Sequence, residues 1–468
     1  MTNYDVVIIG AGMSGLAAGI RAKMLGHEKV AIVERHTIAG GLNSYYQRGR
    51  RQFDVGLHAL TNFARPGEKN RPLLKICKQL RIPYDSLQLK EQRFSTIQFP
   101  FGAINFSNNK QDLISSLASL FPDEVAGLQR LTEFLAQFQE TDLTRPFVST
   151  RAELTHFFQN QNLVEMLLWP LLIYGSACED DMDFGQFAIM FKAIYQEGFS
   201  RPMGGVRTII DLLLERYKNL GGEIFFKKEV KSLHSTGQSS IQALEFKDGE
   251  IWQTGTILSS VGLHETWHLA QMENALAPTG RMSFTESIFV FDSAPGQHGP
   301  TIAFYSGHPS AQYHRPSTLF DRESAVICFP NNYANCEYRE TVVRVTHPAN
   351  YELWKNLTRV EYLQEKEKVK EAGLALVARN YGLDTTKLVF HDVFTPLTVE
   401  RYTGHRAGAV YGSPHKIKNG VTPFSNLFLI GTDQGFLGVV GALLSGISMA
   451  NLHLFQPTSF STQVQNEI

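Results

Sequence analysis

The chain opens with a short apolar run, Val6 to Ile9, rich in β-branched residues and closed by a glycine-rich turn. A run of that length, bounded by a turn, predicts a buried strand of a parallel sheet. The segment LAAGIRAKMLG behind the turn predicts a helix, and the apolar stretch between Lys29 and Arg35 predicts a second strand. Later the pattern changes. RFSTIQF from Arg93, ESIFVF from Glu286, TIAFY from Thr301, SAVICF from Ser324 and TVVRVT from Thr341 include several stretches that alternate with period two. They predict an antiparallel sheet with one face in water. Residues from about 111 to 199 read as helices. Phe121 to Glu124 sets proline and acids in a first turn, a sound helix start. LVEMLLWPLLIYG from Leu163 reads as a buried helix kinked at Pro170; the alternative is a greasy rim that meets a membrane or admits a lipid. LFLIGTDQGFLGVVGALLSG, Leu427 to Gly446, nears the length of a membrane span but carries Asp433 and repeated glycines. The tail PTSFSTQVQNEI is polar and expected to fray.

Composition narrows the class. At 468 residues the chain exceeds one ordinary core, so two or three domains are expected. With 43% hydrophobic and 19% charged residues it suits a globular protein rather than a disordered one. The 32 phenylalanines fit a large core, or an apolar substrate cavity. A formal net charge of -1 gives no basic excess for nucleic acid. Cys77, Cys178, Cys328 and Cys336 form no C-x-x-C pair, and no histidines fall in an H-E-x-x-H pattern, so no metal site is expected. The scattered cysteines fit a reducing cytosol, and the N-terminus lacks the basic region of a signal peptide. A cytoplasmic protein is expected, with a peripheral membrane contact left open.

The turn carries the strongest chemistry. Gly10, Gly12 and Gly15, with Met13 and Ser14 between them, form G-x-G-x-x-G with a strand before and a helix after. Gly10 permits the tight turn, Gly12 lets a pyrophosphate approach the backbone, and Gly15 lets helix and strand pack closely. The helix N-terminus offers free N–H groups and a positive dipole end to phosphate. Glu34 ends the second strand, nineteen residues after Gly15, where an acid accepts hydrogen bonds from a ribose 2′-hydroxyl; Arg35 follows it. Gly40, Gly41, Leu42 and Asn43 let a second loop run along the same ligand, which suits a long dinucleotide such as FAD.

VVIIGAGMSGLAAG, VAIVER, AGGLNSY and FDVGLH together resemble the FAD-dependent amine-oxidase-like superfamily. Within it the likeness is to the phytoene desaturase, carotenoid isomerase and retinol saturase branch. Arg201 to Val206 is similar to its P-x-G-G segment, and Gly221 to Val230 to a strand pair covering the adenine. Thr395 to Tyr402 and Gly408 to Gly412 resemble late T-P-x-T and G-x-x-Y-G elements. The resemblance implies that Leu427 to Ile430 is a strand and that Gly431 and Asp433 meet the cofactor. It also implies that Gly438, Val439, Val440, Gly441 and Ala442 open a helix aimed at the flavin ring. The family's Gly-Asp is here interrupted by Thr432.

The expected fold is α/β: a discontinuous Rossmann-like FAD-binding domain (1–89, 200–274, 395–468) with an inserted α+β substrate domain (90–199 and 275–394). The expected activity is FAD-dependent oxidation, reduction or isomerisation of a hydrophobic, isoprenoid-like or polyene small molecule. Alternatives are an amine or porphyrinogen oxidase, or a flavin-free module like those that escort prenylated GTPases. His58, Arg201, Tyr402 and His405 are the candidates for catalysis or for binding a polar end group, and each has a purely structural alternative.

Overall fold

The structure, a computed structural model, describes residues 2–140, 142, 144–235, 239–272, 278–293, 299–335 and 339–455. The polar tail beyond 455 and Cys336 lie outside the described residues. Strand β1 (Thr2–Ile9) runs directly into helix α1 (Met13–Met24), and β2 (Val30–Val33) returns parallel to β1 with all four residues buried. Helix α1 is buried almost all round, which explains its alanines and glycines in place of an amphipathic pattern. The C-terminal helix Gly438–Leu454 lies against it so closely that a Cβ on Gly446 would overlap the Ser14 carbonyl oxygen.

The first sheet orders its strands as Val230–Ser235, Ile241–Phe246, Ile251–Ser259, β1, β2 and Glu223–Phe225, with Leu427–Leu429 also pairing Ile251–Ser259. Its pairs are parallel apart from those of the hairpin at its edge. The strand at 223–225 is therefore a member of the parallel sheet beside β2, not half of a covering pair as the resemblance implied. Tyr217, on the helix Val206–Asn219, stitches this edge by donating to the carbonyls of Val30 (2.8 Å) and Glu223 (3.1 Å).

The second sheet runs Leu388–Phe394, Ser283–Phe291, Thr341–Ala349, Ser324–Cys328, Ile302–Ser306, Ser95–Phe99 and Gly102–Phe106. It is antiparallel except where Ile302–Ser306 meets Ser95–Phe99. The expectation of a wet face is overturned for its central strands, which are buried on both faces. Phe289 and Val345 pack under the helix Arg359–Tyr381, while Ile288 and Val290 pack on Phe53. Many polar members of the alternation are small hydroxyls such as Ser287 and Thr285, which a sheet buries far more cheaply than a charge.

The helical region behaves as its pattern foretold. Pro122–Glu124 forms a tight turn leading into the helix Val125–Gln137. The run from Leu163 lies in the helix Gln161–Gly175, where Leu167, Leu168, Trp169, Leu171 and Leu172 are fully buried. That burial takes these side chains away from any membrane, while Ile173 and Tyr174 at the end of the same helix line an internal cavity. No helix among the described residues is long and apolar enough to cross a membrane.

Candidate dinucleotide and substrate cavity

A cavity of about 890 Å³ lies between the two sheets. Its volume falls in the upper part of the range of ligand sites. On one side it is walled by the β1–α1 turn, the end of β2 and the turn at 40–43. On the other it is walled by the second sheet and by Ile173, Tyr174 and Met190 of the helical region. Register explains the second wall: Phe394, Glu286, Thr346 and Val326 stand opposite one another across four neighbouring strands. All four side chains therefore project from one face, and all four line the cavity.

The glycine turn forms a cradle. A Cβ on Gly12 would meet nothing within 4 Å and would project into the open cavity, whereas one on Gly15 would overlap the Gly10 carbonyl oxygen. Gly12 thus leaves room for a ligand, and Gly15 lets α1 approach β1. Glu34 ties this loop to β2, since its carboxylate accepts from the backbone N–H of Ala11 (2.8 Å) and of His36 (2.8 Å). Gly438 lines the cavity at the start of the C-terminal helix, and a Cβ there would also meet only open space.

The structure places Gly10, Gly12, Met13, Ser14, Glu34, Arg35, Gly40, Gly41, Leu42, Asn43 and Val230 in the cavity wall. Gly431, Gly438, Val439, Ala442, His58, Tyr402 and His405 also line it. Gly15, Val440 and Gly441 stand behind that wall, where Gly15 serves packing. Two expectations are corrected. Asp433 is turned inward: it accepts from the N–H groups of Leu263 (2.6 Å) and Ser413 (2.7 Å) and pairs with Lys416 at 3.4 Å. Thr432, the additional residue after Gly431, takes the cavity-facing position instead. Burial holds the Lys416 amine below its ordinary range despite the attraction of Asp433. Arg201 lies behind the cavity, ion-paired with Asp54 and donating to the Leu57 carbonyl at 2.9 Å. Asp54 also accepts from the Val206 N–H at 3.1 Å, so this pair fixes the start of the helix Val206–Asn219.

Tyr402 and His405 sit on the Glu34 side of the cavity. The Tyr402 ring meets His36 edge-on at 5.8 Å, and Arg35 donates to the Arg401 carbonyl at 3.0 Å. Both candidates therefore line the cavity, at the end that also carries Glu34, Arg35 and His36.

Sequence reasoning missed Tyr174, Glu286, Arg344 and Thr346. His58 Nδ1 lies 3.2 Å from the Tyr174 hydroxyl, and Nε2 lies 3.4 Å from Thr346 Oγ1 and 3.6 Å from Glu286 Oε2. Glu286 is ion-paired with Arg344, which also donates to the Leu57 carbonyl at 2.6 Å. Burial, reinforced by Arg344, holds the His58 imidazole below its ordinary pKa, so it is neutral at pH 7. Burial raises the Glu286 carboxyl, but Arg344 and His58 outweigh it, and the group ends below its ordinary value. Burial keeps the Tyr174 phenol protonated. The only sequence signal for this cluster was an acid, Glu286, beginning an otherwise apolar strand.

Residues 8–80 match the family described as NAD(P)-binding Rossmann-like domain. Over nearly its whole length the chain is similar to three curated enzymes. All-trans-retinol 13,14-reductase of Danio rerio is 21% identical over 99% of this chain and 89% of that protein. Phytoene desaturase (lycopene-forming) of Pantoea ananas is 21% identical over 93% and 96%. Prolycopene isomerase 2, chloroplastic, of an Oncidium hybrid cultivar is 22% identical over 96% and 83%. Among solved structures, an oxidoreductase from Methanosarcina mazei aligns with a TM-score of 0.66 at 18% identity, covering 95% of this chain and 99% of that one. The fold is thus the mixed α/β, Rossmann-like fold of these oxidoreductases.

Proposed function

We propose that this chain is an FAD-dependent oxidoreductase that desaturates, saturates or isomerises C=C bonds of a hydrophobic, isoprenoid-like small molecule. The observation that carries the reading is the continuity of one cavity from the glycine cradle to an apolar chamber walled by Ile173, Phe284, Val326 and Val410. The cradle fits a dinucleotide: Gly12 and Gly438 leave room at two helix N-termini, and Glu34, just past β2, lines the cavity where it would accept from a ribose hydroxyl. Bound FAD supplies hydride acceptance or donation at its isoalloxazine ring. The chain's part is to hold a greasy substrate beside it, and the apolar walls suit that by excluding water. The names of the three relatives point the same way, toward retinoid and carotenoid chemistry.

The test begins with colour. Purified protein is expected to be yellow, with flavin released on denaturation, and anaerobic mixing with a substrate panel is expected to change the flavin spectrum with polyenes. Protein that is colourless and takes up no FAD overturns the proposal. Bleaching by amines alone redirects it to amine oxidation.

A further inference from the structure

We infer that Tyr174, His58 and Glu286 form a proton relay in the cavity wall, in which the Tyr174 hydroxyl exchanges a proton with a substrate carbon. The inference deepens the oxidoreductase reading and rests on it for the identity of the substrate.

The charges around the ring select one tautomer of His58. Glu286, paired with Arg344, is ionised and only accepts. The Glu286 carboxylate, 3.6 Å from Nε2, electrostatically favours the neutral tautomer of His58 that carries its proton there, with the Thr346 hydroxyl at 3.4 Å able to accept it. Nδ1 is then an acceptor, and the Tyr174 hydroxyl at 3.2 Å donates to it. Carboxylate, imidazole and hydroxyl stand in the order in which a carboxylate sets the tautomer of a base that activates a hydroxyl. A histidine kept for structure alone is expected to bond backbone through its ring. Here both ring nitrogens face side chains of the cavity wall, while the scaffolding contact is made by the His58 carbonyl, which accepts from Tyr333 at 2.9 Å. The Tyr174 ring is held by edge contacts to Phe304 (5.0 Å) and Phe199 (5.9 Å), which orient the phenol. The charged groups facing His58 are Glu286 and Arg344 from the second sheet and Arg201 from the strand Ser200–Pro202.

The step balances. In the dehydrogenating direction, bound FAD would supply the acceptor for the hydride lost from one substrate carbon. The C–H bond of the neighbouring carbon then breaks, and its electron pair forms the new C=C bond. Its proton goes to the Tyr174 oxygen while the Tyr174 proton passes to His58 Nδ1. The resulting imidazolium is countered by the Glu286 carboxylate. Hydrogenation runs the same transfers in reverse.

Two measurements on the flavin-loaded protein test this. In ¹⁵N-histidine-labelled protein without substrate, His58 is identified by the signal lost in His58→Gln. It is expected as the Nε2–H tautomer at pH 7, with Nδ1 shifting in Tyr174→Phe. In turnover with a polyene that bleaches or oxidises the flavin, Tyr174→Phe is expected to slow the reaction about 100-fold or more with flavin affinity unchanged. An Nδ1–H tautomer in the wild type overturns the relay, as does Tyr174→Phe turnover within tenfold of wild type. Should Tyr174→Phe not fold, the wild-type tautomer decides. A protein that takes no flavin refutes the oxidoreductase reading instead, and the tautomer measured on the flavin-free chain still decides the relay geometry.

Discussion

Replacing Gly12 and Gly15 by alanine, one at a time, separates a ligand-facing glycine from a packing glycine three residues away. At Gly12 the backbone has φ -72° and ψ 179°, a conformation alanine adopts freely, and a Cβ meets no heavy atom within 4 Å. Two small effects oppose each other there. Alanine reduces the freedom of the unfolded chain, a gain of about 0.4–1 kcal/mol. It is also a poorer helix N-cap than glycine, a loss of up to about 1 kcal/mol. The flavin-free Gly12→Ala protein is therefore expected to fall within about 1 kcal/mol of wild type. Its flavin affinity should collapse, because the methyl occupies the space through which a pyrophosphate reaches the backbone. Losing two charge-assisted hydrogen bonds at about 1.5–3 kcal/mol each weakens binding by roughly 10²–10⁴. At Gly15 the obstruction is backbone: the added carbon overlaps the Gly10 carbonyl oxygen and stands 3.1 Å from its carbon. Overpacking of this kind costs about 1–3 kcal/mol, and Gly10, itself in the cavity wall, must move. Gly15→Ala should thus lose both stability and flavin. Thermal melts of the flavin-free proteins and calorimetric FAD titrations measure the two quantities separately. If Gly12→Ala melts as low as Gly15→Ala, or binds FAD as tightly as wild type, the assignment of the two glycines is wrong.

Asp433→Ala should lose about 3–5 kcal/mol in urea unfolding, because it leaves the buried Lys416 ammonium without its carboxylate; the folded fraction should keep its flavin spectrum, and loss of flavin at unchanged stability would restore Asp433 to the cofactor site. Stability should also fall on mild acidification. Burial holds the His58 and His347 imidazoles below their ordinary range, so the unfolded chain takes up protons first as pH drops through about 6.5. Stability present above that pH is lost toward the lower native values, by up to about 1.4 kcal/mol per pH unit per histidine. Urea midpoints at pH 7.5 and 5.5 check this, and His347→Gln should reduce the slope; a flat profile contradicts the burial argument.

Some readings failed for definable reasons. Period-two alternation predicts a wet face, yet Thr285 and Ser287 are buried on the side of the sheet that the helix Arg359–Tyr381 covers. A polar letter in a pattern does not distinguish a hydroxyl from a charge. Asp433 was placed by a motif match, but Thr432 shifts the register of the turn by one residue and the acid rotates into the interior. Arg201 carried the right chemistry for a site, and its neighbour in space, Asp54, decided that it braces one instead.

The dinucleotide cradle was legible because it is local. Strand, turn, helix and terminal acid fall within the first 34 residues, and glycines at 10, 12 and 15 shape the cradle. Chain connectivity alone brings such residues together, so spacing specifies geometry. The polar cluster was not legible because no local rule joins its members. Tyr174 stands 116 residues from His58, and Thr346 stands 288 residues from it. Only the register of the second sheet sets Glu286 opposite Thr346, and only the packing of the helix Gln161–Gly175 brings Tyr174 to His58. The sequence by itself determined the glycine cradle of a Rossmann-like unit; long-range strand pairing and core packing decided which side chains line the cavity beside it.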